Sequence, residues 1–266
     1  MLNQNSKVAA TQTPDASAAR ENCLRIEKLT KSFGGLEAVK NVTLSLAKGE
    51  RRAILGPNGA GKTTFFNLIS GDLSPSGGKI FFKGEDITRL PCHRRAYKGM
   101  ARTFQITNLF FKLSVIENLA LAVQGLERTK FSMFRSITSY PRLYERGMEL
   151  LSQVGLEDAR DEMIGNLSYG VQRQIEILLA LTKNPELLLL DEPTAGLSPA
   201  ETGIMVGMLK KLPSSITIMI IEHDMDVAFQ LAEGITVLHF GKVIAEGSVE
   251  EVRSNRTVQE IYLGVR

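Results

Sequence analysis

Several features that would narrow the field quickly are scarce in these 266 residues. The two cysteines, Cys23 and Cys92, lie far apart and form neither a C-x-x-C pair nor any metal-ligand spacing. Nothing suggests a disulfide framework, so a reducing compartment is the default. No apolar run approaches the roughly 18 residues that a membrane-spanning helix needs. Leu187–Leu190 and Ile216–Ile221 are the size of strands. The start carries no secretory signal pattern. These absences point to a cytosolic protein, or one that sits on a membrane through a partner. The net charge is only +3, too little to argue for nucleic acid. There is no internal repeat and no heptad array, which leaves no ground for a solenoid or a long coiled coil.

What is present is the composition of an ordinary globular protein with ample apolar residues for a core. Residues 1–21, rich in Ala, Thr, Ser, Gln and Asn without apolar periodicity, are expected to be a disordered extension. One domain is expected over 22–266, with order beginning near Leu24-Arg25-Ile26. Val42, Leu44 and Leu46 alternate with polar residues, as in a half-buried strand. Pro75-Ser76-Gly77-Gly78 reads as a turn, and Lys79–Phe82 as a strand. Beyond Asn108 the pattern becomes helical. Ser114-Val115-Ile116-Glu117 has the form of a capping box. Tyr140-Pro141 starts a helix whose inward face is Leu143, Leu150, Leu151 and Val154, stopped by Gly155. Val171, Ile175, Leu178 and Leu179 define another amphipathic helix. Leu187–Leu190 and Ile216–Ile221 read as central parallel strands, apolar on both faces. Ile235–Phe240 and Val243–Ala245 read as a hairpin. Arg89, Arg94, Arg95, Lys98 and Arg102 form a basic cluster, read as a solvated face, with attraction to anionic lipid headgroups as the alternative.

The chemistry starts at Gly56-Pro57-Asn58-Gly59-Ala60-Gly61-Lys62-Thr63-Thr64. The apolar run Ala53-Ile54-Leu55 precedes it, and Phe65 and Ile69 follow on one helical face. Strand, glycine-rich loop and helix form the context that gives a G-x-x-x-x-G-K-[ST] match its meaning. Successive backbone N–H groups converge there on an anion, and the helix dipole favours negative charge. Lys62 is expected to reach the β- and γ-phosphates, and the Thr63 hydroxyl to ligate Mg²⁺. The chain therefore reads as one that binds a nucleoside triphosphate. At the end of the 187–190 strand, Asp191 is suited to hold Mg²⁺ directly or through water. Glu192, one residue on, is suited to polarise a water against the γ-phosphate.

Between these stretches lies Asn166-Leu167-Ser168-Tyr169-Gly170-Val171-Gln172. Taken alone, Ser168 would be an ordinary helix N-cap. Set about twenty residues before the acidic strand end, the stretch resembles the L-S-G-G-Q-like signature of the ATP-binding-cassette (ABC) family. Ser168 and Gly170 match that pattern; Tyr169 and Val171 depart from it. Further matches follow in the family's order. Gln105 in Ala101-Arg102-Thr103-Phe104-Gln105 corresponds to the family's glutamine near Mg²⁺ and the attacking water. His223 corresponds to its switch histidine, and Phe33 to the aromatic that stacks on adenine. Ala195-Gly196-Leu197-Ser198 matches the D-loop, with Ser198 where an aspartate is common. That substitution implies an altered or weaker contact across the dimer.

The resemblance covers residues 24 to about 263. It implies an α/β fold of the P-loop NTPase kind, with a RecA-like core, an antiparallel β portion and a helical lobe inserted over about 108–170. It also implies ATP and Mg²⁺ as cofactors. Two cassettes would pair head to tail, each nucleotide lying between one phosphate loop and the partner's Ser168 and Gly170. Gly34-Gly35-Leu36-Glu37-Ala38-Val39, Val115-Ile116-Glu117-Asn118-Leu119 and the ending Ile261-Tyr262-Leu263-Gly264 resemble the ATP-binding subunits of branched-chain amino-acid importers. That narrower resemblance implies integral-membrane permeases, a second ATP-binding subunit (identical or related), a solute-binding protein acting indirectly, and a peripheral place on the cytoplasmic face of the inner membrane. Other cargo, such as urea, amides or lipid, and a soluble ABC ATPase without a permease stay open as alternatives.

Overall fold

The computed structural model describes residues 21–103, 109–125 and 140–263. The extension expected over 1–21 lies outside these residues except for Glu21, whose carbonyl already accepts a hydrogen bond from the Lys48 amide. The chain opens with two long antiparallel strands, β1 (Asn22–Phe33) and β2 (Leu36–Ala47). Both exceed the sequence expectation. They alternate buried and exposed residues, as strands with one face on a core do. Next come β3 (Arg51–Leu55), the helix α1 (Lys62–Ser70), β4 (Gly77–Phe82) and the short β5 (Glu85–Asp86). Gly77 and Gly78, read as turn residues, already belong to β4.

A short helix α2 (Cys92–Tyr97) leads to β6 (Met100–Arg102). Then come α3 (Val115–Gln124) and α4 (Pro141–Val154), within the expected helical lobe. Ser114 caps α3 in a complete capping box with Glu117. Gly155 ends α4 in the left-handed conformation that glycine adopts without strain. After α5 (Tyr169–Leu181) follow β7 (Leu187–Asp191), α6 (Pro199–Lys211), β8 (Thr217–Ile221) and α7 (Met225–Leu231). The chain closes with β9 (Gly234–His239), β10 (Lys242–Ser248), α8 (Val249–Ser254) and α9 (Arg256–Leu263).

Among the described residues the strands form two sheets. One is antiparallel, in the order β2-β1-β4-β5; the other runs β10-β9-β3-β8-β7-β6. In the second, β3, β6, β7, β8 and β9 are mutually parallel, and only the hairpin strand β10 is antiparallel. Its central strands obey the period of two. Leu187, Leu189, Met219 and Ile221 face one core with Phe65, Phe66 and the inner face of the antiparallel sheet. Leu188, Leu190, Ile218 and Ile220 face another, with Ile175, Leu178, Met205 and the lobe residues Val115, Leu119 and Leu150. Burying each such side chain stabilises the fold by about 1.5–3 kcal/mol. The same central strands thus hold α1 on one face and α5 with the lobe on the other. Their C-terminal ends gather beside the loop that precedes α1, the usual position for a ligand in an open parallel sheet.

The basic cluster at 89–102 is not a solvated face throughout. Arg95 is 1% exposed and donates to the carbonyls of Leu68, Ile69, Leu90 and Thr88. It therefore satisfies orphan carbonyls at the end of α1, where a cation also complements the helix dipole. Arg102 is turned inward as well, while Arg89 and Arg94 remain exposed.

Candidate active site

The loop between β3 and α1 has a conformation that its residues dictate. Gly61 precedes the helix with φ of 100°, and a Cβ there would stand 2.3 Å from the Ala38 carbonyl oxygen. Only glycine fits that position. From the first turn of α1, Lys62 curls back over the loop. Its ammonium donates to the carbonyls of Gly56 at 2.6 Å and Pro57 at 3.2 Å. Burial pushes the ammonium's pKa below its ordinary value, and the charges of Glu192 and Asp191 push it the other way. Thr63 is exposed at the helix start.

A cleft of about 230 Å³ is lined by Asn58 to Thr64 together with Ala38, Glu192 and His223. It brings loop amides and a lysine into one space with a carboxylate and an imidazole delivered by β7 and β8. His223 Nε2 and Glu192 Oε1 are 2.5 Å apart. Glu192 adopts φ of 50°, a conformation unusual for a residue with a long side chain. Its own amide donates to the Ile221 carbonyl at 3.0 Å, which pins the turn. Strain of this kind costs about 1–3 kcal/mol and gathers at functional sites.

Asp191 is buried, and its Oδ2 accepts from Arg102 Nη2 at 2.8 Å. Arg102 also reaches Asn67, Ser70 and Asp72, tying the strand end to α1. The other oxygen, Asp191 Oδ1, is buried with no hydrogen-bond partner among the described residues. An orphaned buried carboxylate oxygen suits a cation or a water of its shell, so Asp191 and Thr63 fit a Mg²⁺ site. No group of three or more His, Cys, Asp or Glu among the described residues could hold a metal alone. A magnesium ion here would therefore need phosphate oxygens and water as further ligands. Gln105, the remaining expected ligand, lies outside the described residues.

Sequence reasoning missed Glu222, which lies directly behind the catalytic candidates. It is 3% exposed and accepts from Thr194 Oγ1 at 2.8 Å, the Thr194 amide at 3.3 Å and the His223 amide at 3.3 Å. Burial pushes its pKa up to about 7; the hydrogen bonds oppose this and the Glu192 charge adds to it. Only its adjacency to His223 marked it in the sequence.

The signature stretch forms a second anion-compatible end. Ser168 caps α5, its Oγ accepting from the Val171 amide at 3.4 Å. Gln172 braces the approach through the carbonyls of Ile164 and Leu167. Tyr169, a departure from the family pattern, packs its ring against Gly196, and its hydroxyl accepts from Arg173 at 2.9 Å. Val171 packs partly buried against the core under the lobe. Neither Ser168 nor Gly170 lines the cleft that holds Lys62, Glu192 and His223, and Phe33 stands 48% exposed at the end of β1. One chain therefore brings together the phosphate loop, Glu192 and His223, and leaves its signature elsewhere.

A separate groove of about 300 Å³ runs between the core and the lobe, lined by α2, α3 and α5 residues and by Arg102. It has no phosphate loop and mixes apolar side chains with Arg95, Arg102 and Lys183. The described helices include none long and apolar enough to cross a membrane.

Comparison with known proteins agrees with this geometry. A family model described as ABC transporter matches residues 39–195. Another, described as Branched-chain amino acid ATP-binding cassette transporter, matches residues 242–266. The chain is 39% identical over 249 residues to the high-affinity branched-chain amino acid transport ATP-binding protein BraF of Pseudomonas aeruginosa, covering 91% of this chain and 97% of that protein. It is 39% identical over 248 residues to LivG of Escherichia coli K12, described in the same terms, with the same coverage. Among solved structures, the ADP conformation of MJ1267, an ATP-binding cassette of an ABC transporter, superposes with a TM-score of 0.81 at 33% identity, over 92% of this chain and 99% of that one. The dimeric structure of MJ0796, a bacterial ABC transporter cassette, gives 0.71 at 28% identity, over 85% of this chain and 98% of that one.

Proposed function

The chain belongs to the ABC transporter family as an ATP-binding cassette, and on that premise we propose that it hydrolyses ATP to energise branched-chain amino-acid uptake. The observation that carries the chemical part is the single cleft shared by Lys62, Glu192 and His223. When ATP enters, Lys62 exchanges the carbonyls of Gly56 and Pro57 for β- and γ-phosphate oxygens, and the loop amides hold the rest of the phosphate chain. Thr63 and Asp191, with Gln105, would hold Mg²⁺, which neutralises phosphate charge when bound. Glu192 accepts a proton from the attacking water as the water oxygen bonds to the γ-phosphorus. The bond to the bridging oxygen breaks, and ADP leaves with that electron pair. His223, in contact with Glu192, orients the carboxylate and faces the γ-phosphate.

One cleft cannot surround the γ-phosphate, and transfer of that group needs donors from several sides. Ser168 and Gly170 of a second ATP-binding subunit complete the site, and Phe33 offers its exposed ring to adenine. The groove of about 300 Å³ between core and lobe is the docking place for a permease element, which carries closure of the two cassettes into the membrane. On this reading the chain sits peripherally on the cytoplasmic face of the inner membrane. The cargo rests on the C-terminal family match and the names of the relatives.

Glu192→Gln tests the chemistry. Nucleotide affinity should be retained while turnover falls about a hundredfold or more. Normal turnover would remove Glu192 from the base role. Uptake of labelled leucine into vesicles carrying the assembled transporter tests the cargo; uptake of urea or an amide in its place would redirect the assignment.

A further inference from the structure

The donors that the signature offers to a triphosphate are already engaged within the chain. The Gly170 amide donates to Glu201 Oε1 at 3.2 Å. The approach is close enough that a Cβ on residue 170 would stand 2.6 Å from that oxygen, so the contact depends on glycine. The other carboxylate oxygen, Oε2, is anchored in the capping box of α6, where it accepts from the Ser198 amide at 3.0 Å and the Ser198 hydroxyl at 2.7 Å. One carboxylate thus bridges the start of the signature helix and the start of the D-loop helix.

We propose that Glu201 is a positioning residue that stands in for the γ-phosphate at the signature of an unpaired cassette and hands over the Gly170 donor when ATP arrives on the facing subunit. This rests on the reading that Ser168 and Gly170 complete the partner's nucleotide site. The chemistry is that of a helix N-terminus, whose free amides and dipole favour an anion. With no nucleotide present, a carboxylate of the same chain supplies that anion and keeps the loop in its donor-forward shape. Consistent with this, hydrogen bonds from Ser198 hold the Glu201 carboxyl below its ordinary pKa, and the Gly170 amide and Ser168 hydroxyl add to the effect.

A γ-phosphate carries more charge and more acceptor oxygens than a carboxylate, so it can take the donor. ADP ends at the β-phosphate and leaves the position to Glu201. The exchange therefore favours ATP over ADP in the closed pair and favours reopening once the γ-phosphate has left. It also gives Ser198 a purpose of its own. The serine keeps Oε2 in the cap while Oε1 is released.

Glu201→Gln separates this role from that of a simple cap. The amide has one acceptor oxygen where the carboxylate has two, so it cannot serve both sets of donors. Steady-state ATPase of the assembled transporter should show a KM for ATP lowered about threefold to tenfold, with kcat within about twofold of wild type. Ser198→Ala, which weakens the cap but keeps the carboxylate beside Gly170, should lower thermal stability without the fall in KM that the Glu201 variants show; an equal fall would assign the effect to the cap and overturn the proposal. Glu201→Ala should match Glu201→Gln in KM if the glutamine variant proves poorly folded. A KM unchanged or raised in both Glu201 variants would overturn the proposal. Ser168→Arg serves as the separate check on the underlying reading. If it leaves turnover intact, the signature does not complete the site at all; if it abolishes turnover while the Glu201 variants leave KM unchanged, only the handover is wrong.

Discussion

Replacing Glu222 by glutamine removes one titrating group from the core behind Glu192 and His223, and should change how stability depends on pH. In the folded chain its pKa is raised to about 7 from an ordinary value of 4.5, chiefly by burial. The folded state therefore holds this proton more tightly than the unfolded state does. Below pH 4.5 both states are protonated and the group is neutral to stability. As pH rises through the window from 4.5 to about 7, the unfolded chain loses the proton first and stability falls. Above about 7 both are ionised, and the full cost of a buried charge is present. At 1.36 kcal/mol for each pH unit, that cost is about 1 kcal/mol at pH 5 and about 3 kcal/mol at pH 8. The variant has no such dependence. It also loses an acceptor for the amides of Thr194 or His223, an offset that does not vary with pH. Urea denaturation at the two pH values should therefore show the variant gaining about 2–3 kcal/mol on wild type between pH 5 and pH 8, at equal m-values. An unchanged difference would mean that Glu222 titrates as an ordinary carboxylate in spite of its burial.

Arg95→Met should cost about 3–5 kcal/mol in urea unfolding, because four carbonyls lose a buried cation that satisfies them. A loss under 1 kcal/mol would show that water replaces the guanidinium. Ser114→Ala removes the hydroxyl half of the α3 capping box and should cost about 1 kcal/mol, read as a shift in the urea midpoint. Lys62→Ala should weaken ATP binding in a calorimetric titration at least tenfold, because the ammonium is the loop's own cation. Affinity equal to wild type would count against the phosphate-loop assignment.

The parts legible in the sequence were those whose cause is local. Leu187–Leu190 and Ile216–Ile221 announced central strands because they are apolar on both faces, and the structure buries both faces. The α3 capping box and the Gly155 stop of α4 were legible for the same reason. Helix α6 was harder to see. Gly203 and Gly207 weaken its propensity and Ile204 is exposed, so its apolar residues draw no clean stripe. Ser198-Pro199 followed by Glu201 was the overlooked signal, a capping box with proline at the first helical position.

The candidate site divides along the same line. The loop from Gly56 to Thr64, Asp191, Glu192 and His223 could be found because each follows a strand in the family's order. Arg102, Glu201 and Glu222 could not, because their meaning lies in contacts with Asp191, Gly170 and Thr194, 89, 31 and 28 positions away. The basic cluster misled for a related reason. Arg95 and Arg102 have the composition of a solvated face and the environment of a core.

If each ATP site is built from two chains, two inactive variants should repair one another when mixed. Lys62→Ala disables the phosphate loop of one chain, and Ser168→Arg disables the signature of another. Each variant alone should hydrolyse almost no ATP. Mixed full-length chains should form pairs in which one site has an intact loop from the Ser168 variant and an intact signature from the Lys62 variant. ATPase activity should return on mixing and depend on the concentrations of both chains. Two inactive samples that remain inactive together, or a Ser168 variant that turns over ATP by itself, would contradict it.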